Sequence, residues 1–173
     1  MNYIKDINLK DNDTYKGIIE IPAGCKLKYE LDENSFDKLI AVRKLKLRYP
    51  FYYGCFPQTY AGDGDPLDMI LLSKKKRQKL DIVNIYPIGV IKTIDDGLVD
   101  DKVICIAKDE AIKDLRKLEK IAVKFLSLYK GKNSNTQTDF NIYDYQVAEK
   151  IIEKANKAYL DKCTNRSAIK STL

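Results

Sequence analysis

Apolar residues in the first two thirds of the chain recur with the short spacing that is typical of β-strands. The apolar runs are residues 17–21, 26–31, 39–42, 69–72, 81–94 and 103–107, the fifth of which is interrupted at Pro87. Turn-forming residues such as Pro22-Ala23-Gly24 separate them, and residues 26–31 alternate with period two. Short apolar runs between turns indicate strands. We therefore predict many short strands, with residues 81–94 divided into two strands at Pro87.

The period lengthens to that of a helix from Asp114 onwards. Asp114 is a suitable N-cap, apolar residues then follow three or four apart, and Gly131 can end the helix. Residues 131–141 are polar and loop-like, and a second helix is predicted over residues 144–162. We expect the tail from residue 164 to fray. Strands followed by helices predict one α+β domain with a small closed or partly open barrel as its core.

Composition narrows the chemistry that the chain can perform. The 173 residues contain no histidine, which excludes histidine zinc ligands, imidazole bases and serine-histidine triads. Four cysteines without short paired spacing are typical of a reduced cytoplasmic protein. The N-terminus lacks an apolar signal core, and no apolar run is long enough to cross a bilayer, so we expect a cytoplasmic chain without a membrane partner. The net charge of +6 suits an anionic ligand but does not by itself indicate nucleic acid.

The densest polar motif is Gly-Asp-Gly-Asp-Pro-Leu-Asp at residues 62–68. Two carboxylates ~4 Å apart repel by about 4 kcal/mol at an effective dielectric near 20, so a cluster of three requires cations or protonation. Mg²⁺ prefers such oxygen ligands. A polar turn explains the same residues, whereas a helix-loop-helix calcium loop is excluded because Leu67 and Lys74 stand where that loop needs an acidic or amide residue and a glutamate.

Three further patterns have two interpretations each. Lys28 and Glu30 share one face of a strand, either as a surface ion pair or as part of a site. Residues 43–60 combine tyrosines with basic residues, which can stack on single-stranded nucleic acid or donate to phosphate oxygens in a small site. The basic run at residues 74–79 suits a nucleic-acid patch or localisation signal, or else a solvated hairpin loop. A second acidic turn, residues 95–100, would line the barrel mouth together with the first.

Taken together, these segments resemble the active site of the soluble family I inorganic pyrophosphatases. Asp63-Gly64-Asp65-Pro66-Leu67-Asp68 matches the signature of that family residue for residue. The supporting segments are residues 19–23, 28–30, 49–50, 53–54, 89–90, 95, 100–102 and 129–130. The resemblance covers residues 14–131. It implies an α+β fold with a small five-stranded, OB-like β-barrel, peripheral strands and two α-helices in the C-terminal half.

The resemblance also implies a role for each matching residue. Asp65 would be the catalytic base for a metal-activated water that attacks inorganic pyrophosphate directly and yields two orthophosphates. The ligands of several Mg²⁺ ions would be Asp63, Asp68, Asp95, Asp100 and Glu30. The substrate-binding residues would be Lys28, Arg43, Tyr53, Lys102, Tyr129 and Lys130, with Glu20 and Tyr49 in support.

Several points remain open at the level of sequence. The spacing from Arg43 to Tyr49 is shorter than in the family, which leaves Arg48 as an alternative for the arginine role, and Val42 and Tyr52 replace usual family residues. The alternative functions are a non-catalytic barrel that binds single-stranded nucleic acid and a hydrolase of other phosphoanhydrides such as nucleoside triphosphates. The chain length resembles the short prokaryotic branch of the family, which implies a homohexamer.

Overall fold

The structure is a computed structural model that describes residues 1–129 and 137–170. Its strands are β1 (Lys10–Asp11), β2 (Thr14–Ile21), β3 (Leu27–Leu31), β4 (Leu39–Lys44), β5 (Tyr52–Cys55), β6 (Asp68–Leu72), β7 (Ile82–Asp95), β8 (Leu98–Val99), β9 (Lys102–Ala107) and β10 (Gln137–Asp144). The helices are α1 (Leu115–Tyr129) and α2 (Tyr145–Lys170). Strands therefore precede the helices, apart from β10, which lies between α1 and α2.

Five strands close into a barrel. They are hydrogen-bonded in the order β2, β5, β6, β9, β7, and β7 pairs back with β2. The β6–β9 pair is parallel and the other pairs of the ring are antiparallel. Closure leaves none of these strands with an open edge. The prediction of an α+β fold around a small OB-like barrel is confirmed.

Both faces of the central strand β6 are buried. Met69 and Leu71 pack in a cluster that includes Ile152 of α2, whereas Ile70 and Leu72 belong to a cluster that includes residues of α1. A strand that is covered on both sides needs no polar face, so its sequence is a continuous apolar run. This burial explains why residues 69–72 show no alternation.

Gly54 allows the barrel to close between β5 and β2. An added Cβ at this position would lie 1.8 Å from the carbonyl oxygen of Ile18, which is far inside van der Waals contact. Only glycine permits this approach of the two backbones. The close approach brings Tyr53, the residue before Gly54, to the wall of the cavity described below.

Several assignments differ from the sequence prediction. Strand β5 was not predicted, because no apolar run was recognised in residues 43–60. Residues 82–95 form one strand, because the predicted break at Pro87 is a register shift between Pro87 and Gly89 in the β7–β9 ladder, where proline cannot donate a ladder hydrogen bond. Residues 137–144 form strand β10, although the prediction placed a loop there. The second helix continues to Lys170 and does not end at residue 162.

Strand β10 was not predicted because its first half is polar and because it lies at the edge of the sheet. It pairs only with β7 in the sheet, and a register shift separates its two paired segments. Its polar first half therefore shows no apolar alternation. The N-terminus of α2 is capped by Asp144, because the backbone N–H of Val147 donates to Asp144 Oδ1 at 3.1 Å.

The β3–β4 hairpin forms a separate two-stranded sheet beside the barrel. Its register pairs Lys28 with Arg43 and Glu30 with Ile40. Directly paired residues project from the same face of a sheet. The hairpin thus presents Lys28 and Arg43 together, and it carries Lys28 and Glu30 to the cavity.

Candidate active site

One cavity of about 180 Å³ collects most of the residues that the sequence indicated. Its lining includes Glu20, Lys28, Glu30, Tyr49, Tyr53, Asp63, Asp65, Asp68, Asp95, Asp100 and Lys102. These residues come from strands β2, β3, β5, β6, β7 and β9 and from the loops between them. Residues of both acidic turns line this cavity, and Asp68 and Asp100 contact the same ammonium, that of Lys102.

The loop that carries Asp63 and Asp65 is held in a tight turn. The backbone N–H of Asp65 donates to Asp63 Oδ1 at 3.1 Å, and the N–H of Ala61 donates to the Asp65 carbonyl at 2.7 Å. Gly64 has φ of +92°, which glycine adopts without a steric penalty. The Asp65 carboxylate itself makes no hydrogen bond or ion pair with the part of the chain that the structure describes. It faces the cavity with its oxygens available.

A buried lysine, Lys102, bridges two carboxylates at the centre of the site. Lys102 Nζ donates to Asp68 Oδ2 at 2.5 Å and also contacts Asp100 Oδ1. The Tyr53 hydroxyl donates to the same Asp68 oxygen at 2.5 Å. Burial alone would lower the pKa of Lys102, but the carboxylates of Asp68 and Asp100 raise it overall. The ammonium is therefore a fixed positive charge between two acidic side chains.

Replacing Lys102 by methionine should destabilise the metal-free chain strongly. The side chain is only 5% exposed, and its removal leaves Asp68 and Asp100 side by side without the cation between them. Breaking a buried ion pair by removing one partner costs about 3–5 kcal/mol. Urea denaturation in a chelating buffer measures the expected loss, and Mg²⁺ should restore part of it by supplying another cation.

Lys108→Met is the matched control for this prediction. Lys108 pairs with Asp13 at 2.7 Å, but both side chains are largely exposed. An exposed pair contributes about 0–1 kcal/mol. Equal losses of stability in the two variants would show that the Lys102 contacts are no stronger than a surface ion pair.

The cavity is lined by more carboxylates than ammonium groups, since Lys28 and Lys102 are its two lysines among the described residues. Burial, together with the Asp68 carboxylate, raises the pKa of Glu20 to about 8, against the opposing effect of the Leu31 N–H, which donates to Glu20 Oε1 at 3.0 Å. Burial raises the pKa of Asp100 to about 6, against the opposing effect of Lys102 and with a further contribution from Asp68. Burial and the neighbouring Asp63 carboxylate likewise raise the pKa of Asp65.

This donor set fits hard divalent cations. It consists of carboxylate oxygens, which Mg²⁺ prefers, and its mutual repulsion is relieved by added positive charge. Within residues 1–129 and 137–170, no three acidic or cysteine side chains converge closely enough to bind one ion as they stand. Lys102 accounts for part of this spacing, because its ammonium occupies the space between Asp68 and Asp100.

The arginine alternatives take different positions. Arg43 is exposed and does not line the cavity, but it is the cross-strand partner of Lys28, which does. Arg48 donates from Nη1 to the carbonyl of Gly24 at 2.8 Å and so stabilises the turn before β3. The geometry favours Arg43 over Arg48 for contact with a ligand. Beside Arg43, Lys28 forms an ion pair with Glu30.

Aromatic residues support the inner wall. Tyr49 is buried and packs against the rings of Tyr53 and Phe125, at centroid distances of 5.6 and 4.9 Å. This packing is consistent with a supporting position for Tyr49. Tyr129 is the last residue of α1, and Lys130 lies outside the residues that the structure describes. Both remain predictions from the resemblance.

Sequence reasoning missed two threonines in the lining. Thr93 of β7 is 4% exposed, and Thr138 of β10 lies opposite it. Thr93 precedes Asp95 by two positions and so shares its face of the strand, a signal that period two could have supplied. Thr138 had no such signal, because β10 itself was not predicted.

The basic run is mainly bound to its own chain. Arg77 donates to Asp109 at 2.6 Å, and Lys75 Nζ lies 3.0 Å from the other carboxylate oxygen of Asp109. The backbone N–H of Lys74 donates to Glu110 Oε1 at 2.6 Å. These contacts favour the hairpin-loop interpretation over a nucleic-acid patch. Among the described residues, no helix is long and apolar enough to span a membrane.

Comparison with known proteins gives one consistent result. The family described as Inorganic pyrophosphatase matches residues 17–160. An inorganic pyrophosphatase of Synechocystis is 35% identical over 153 residues, which cover 82% of this chain and 89% of the relative. The solved inorganic pyrophosphatase of Helicobacter pylori is 30% identical with a TM-score of 0.76, covering 90% of this chain and 99% of that one. The solved inorganic pyrophosphatase of Neisseria gonorrhoeae is 26% identical with a TM-score of 0.81, and the match covers 91% of this chain and 98% of that one.

Proposed function

Because this chain belongs to the inorganic pyrophosphatase family and hydrolyses inorganic pyrophosphate, we propose that the reaction takes place in the carboxylate-lined cavity and depends on Mg²⁺. The observation that carries the proposal is the convergence of two acidic turns with Lys28 and Lys102 on one space of about 180 Å³. Drug-sized ligands occupy pockets of about 300–1,000 Å³, so this cavity suits a small anion.

The acidic residues divide into ligands and a base. Asp63, Asp68, Asp95, Asp100 and Glu30 would hold the metal ions, which neutralise phosphoryl oxygens and lower the pKa of water. Asp68 and Asp100 are already engaged by a cation, the ammonium of Lys102. Asp65 differs from them, since its carboxylate oxygens have no partner within the described residues. This freedom supports Asp65 as the group that accepts a proton.

In the proposed reaction, a water molecule attacks one phosphorus atom of pyrophosphate. The new P–O bond forms as the bond to the bridging oxygen breaks, and the electron pair leaves with the second orthophosphate. Asp65 accepts the proton of the attacking water, because a chain without histidine relies on carboxylates for this task. Phosphoryl transfer goes directly to water.

The cationic and hydroxyl groups bind the substrate. Lys28 and Lys102 line the cavity, and Arg43 lies beside Lys28 on the hairpin. Positive side chains stabilise the charge that develops on the leaving phosphate. The Tyr53 hydroxyl, now on Asp68, is within reach of the same space. By resemblance to the family, we assign Tyr129 and Lys130 to substrate binding. Glu20 and Tyr49 are assigned, on the same ground, to support of the site.

Substrate comparison tests the proposal. Orthophosphate release in Mg²⁺ should be at least about 100-fold faster from pyrophosphate than from ATP, because a cavity of about 180 Å³ binds the phosphoryl groups and leaves the nucleoside of ATP outside, without the contacts that a second free phosphoryl group makes. Rates that are equal for the two substrates would favour a general phosphoanhydride hydrolase. Salt-sensitive oligonucleotide binding without any phosphate release would favour the nucleic-acid alternative.

Assembly and location are further parts of the proposal. The family resemblance supports a homohexamer. Within the described residues no disulfide joins the four cysteines, which supports a reducing compartment such as the cytoplasm.

A further inference from the structure

Thr93 and Thr138 form a pair across two strands at one end of the cavity. They are directly opposite in the β7–β10 register, so their side chains project from the same face of the sheet. Both residues line the cavity, together with Phe125 and Leu126 of α1. The pair therefore supplies hydroxyl groups to a wall that is otherwise apolar on its helical side.

The backbone of Thr93 is fixed by the second acidic turn. Its N–H donates to Asp101 Oδ1 at 3.1 Å, and its carbonyl accepts a hydrogen bond from the N–H of Asp100 at 2.8 Å. The side-chain hydroxyl, in contrast, is buried and has no hydrogen-bond partner among the described residues. Buried hydroxyls are nearly always paired. The oxygen is closed to solvent, so rotation of the Thr93 side chain about its Cα–Cβ bond would bring the unpaired hydroxyl to a ligand at this wall.

The position of the pair identifies the chemistry of that ligand. Asp95 follows Thr93 by two positions on the same face of β7, and α1 beside the pair ends at Tyr129. A phosphoryl group held by cations at Asp95 would lie against this wall. Hydroxyl groups can donate to its oxygens without adding charge, and they bring no ammonium that would compete with the cations for Asp95.

We propose that Thr93 and Thr138 bind one phosphoryl group of the substrate by donating hydrogen bonds to its oxygens. The inference rests on the proposed function and adds to it two specificity residues at the β7–β10 wall. Neutral donors at this place extend the binding site beyond the lysines, the arginine and the tyrosines.

Thr93→Val is the principal test, because valine retains the shape and removes the hydroxyl. We expect the KM for pyrophosphate to rise about tenfold with kcat nearly unchanged, since a hydrogen bond to a charged group is lost. The Kd for orthophosphate in Mg²⁺, measured by calorimetry, should rise by a similar factor. Thr93→Ser keeps the hydroxyl and should restore both values.

Stability measurements separate substrate binding from a structural role. The ligand-free Thr93→Val protein should be at least as stable as the wild type, because its valine replaces a hydroxyl that has no hydrogen-bond partner within residues 1–129 and 137–170. Thr14→Val is the matched control: Thr14 is buried, and its hydroxyl donates to the Asp11 carbonyl at 2.8 Å. That variant should lose stability and keep the wild-type KM.

The outcomes distinguish this inference from the proposed function. A wild-type chain that releases no orthophosphate from pyrophosphate overturns both. An active wild type with unchanged KM and orthophosphate affinity in Thr93→Val overturns the threonine assignment alone, as does a change confined to kcat. If Thr93→Val does not fold, Thr138→Val provides the same test, because Thr138 is half-buried on the same wall.

Discussion

Replacing Asp65 by asparagine lowers the turnover of pyrophosphate by about 10²–10⁴-fold, the range that a general base contributes. The asparagine side chain has the same shape and cannot accept the proton at neutral pH. The backbone contacts of the loop persist, since the N–H of residue 65 still donates to Asp63 and its carbonyl still accepts from Ala61. The loss therefore falls on kcat, which steady-state orthophosphate release measures directly.

Asp65 is chosen among the acidic residues because its carboxylate has no hydrogen-bond or ion-pair partner in the part of the chain that the structure describes. Asp68 accepts from both Tyr53 and Lys102, and Asp63 accepts from the backbone of residue 65. Changes at those residues would disturb the structure of the site as well as its chemistry. Asp65→Asn changes one acceptor in the cavity and leaves every described contact of its neighbours in place.

Asp96→Asn is the matched control. Asp96 is exposed in the second acidic turn and does not line the cavity, and its φ of 47° is a conformation that asparagine tolerates. This variant should keep kcat within about threefold of the wild type, because it removes a surface charge without a catalytic contact. If Asp65→Asn keeps full turnover, or if Asp96→Asn loses as much, the assignment of the base is wrong.

Metal binding by Asp65→Asn provides a second readout. Because the proposed ligands Asp63 and Asp68 are unchanged, the variant should bind Mg²⁺ with an affinity close to that of the wild type. A variant that loses both turnover and Mg²⁺ binding would make Asp65 a ligand. The comparison thus separates the base from the metal ligands within a single motif.

Much of the site was predictable because the acidic motif lies in a continuous stretch. Residues 63–68 place three carboxylates on one loop whose glycines and proline restrict its shape, and sequence order alone brings them together. The apolar run after it predicted strand β6, whereas β5, the barrel strand before the loop, was not predicted. Such short-range patterns can be recognised in a sequence because residues that are close in sequence are also close in space.

Other features depend on contacts between distant segments. The Lys102 ammonium between Asp68 and Asp100 follows from the parallel β6–β9 register, which pairs Asp68 with Lys102. Thr138 reaches the cavity only because the polar segment 137–144 pairs with β7. No local sequence pattern predicts the β6–β9 pairing or the β7–β10 pairing. Tertiary contacts can make a strand from a segment that has no apolar alternation.

Removing divalent metal should abolish turnover in this account. The cavity gathers five aspartates against two lysines, and Lys102 is already committed to Asp68 and Asp100. A pyrophosphate anion entering this space without further cations would meet net negative charge. Two like charges ~4 Å apart repel by about 4 kcal/mol at an effective dielectric near 20, so several such contacts prevent productive binding.

The central claim is that this carboxylate-lined cavity hydrolyses pyrophosphate only with divalent cations. The direct measurement is orthophosphate release by the wild-type chain after chelation and dialysis, before and after Mg²⁺ is added, with K⁺ at matched ionic strength as the control. We predict no release above the spontaneous rate without Mg²⁺, full recovery with Mg²⁺, and no recovery with K⁺. Undiminished release from demonstrably metal-free protein would contradict the account, because the lysines alone would then suffice for catalysis.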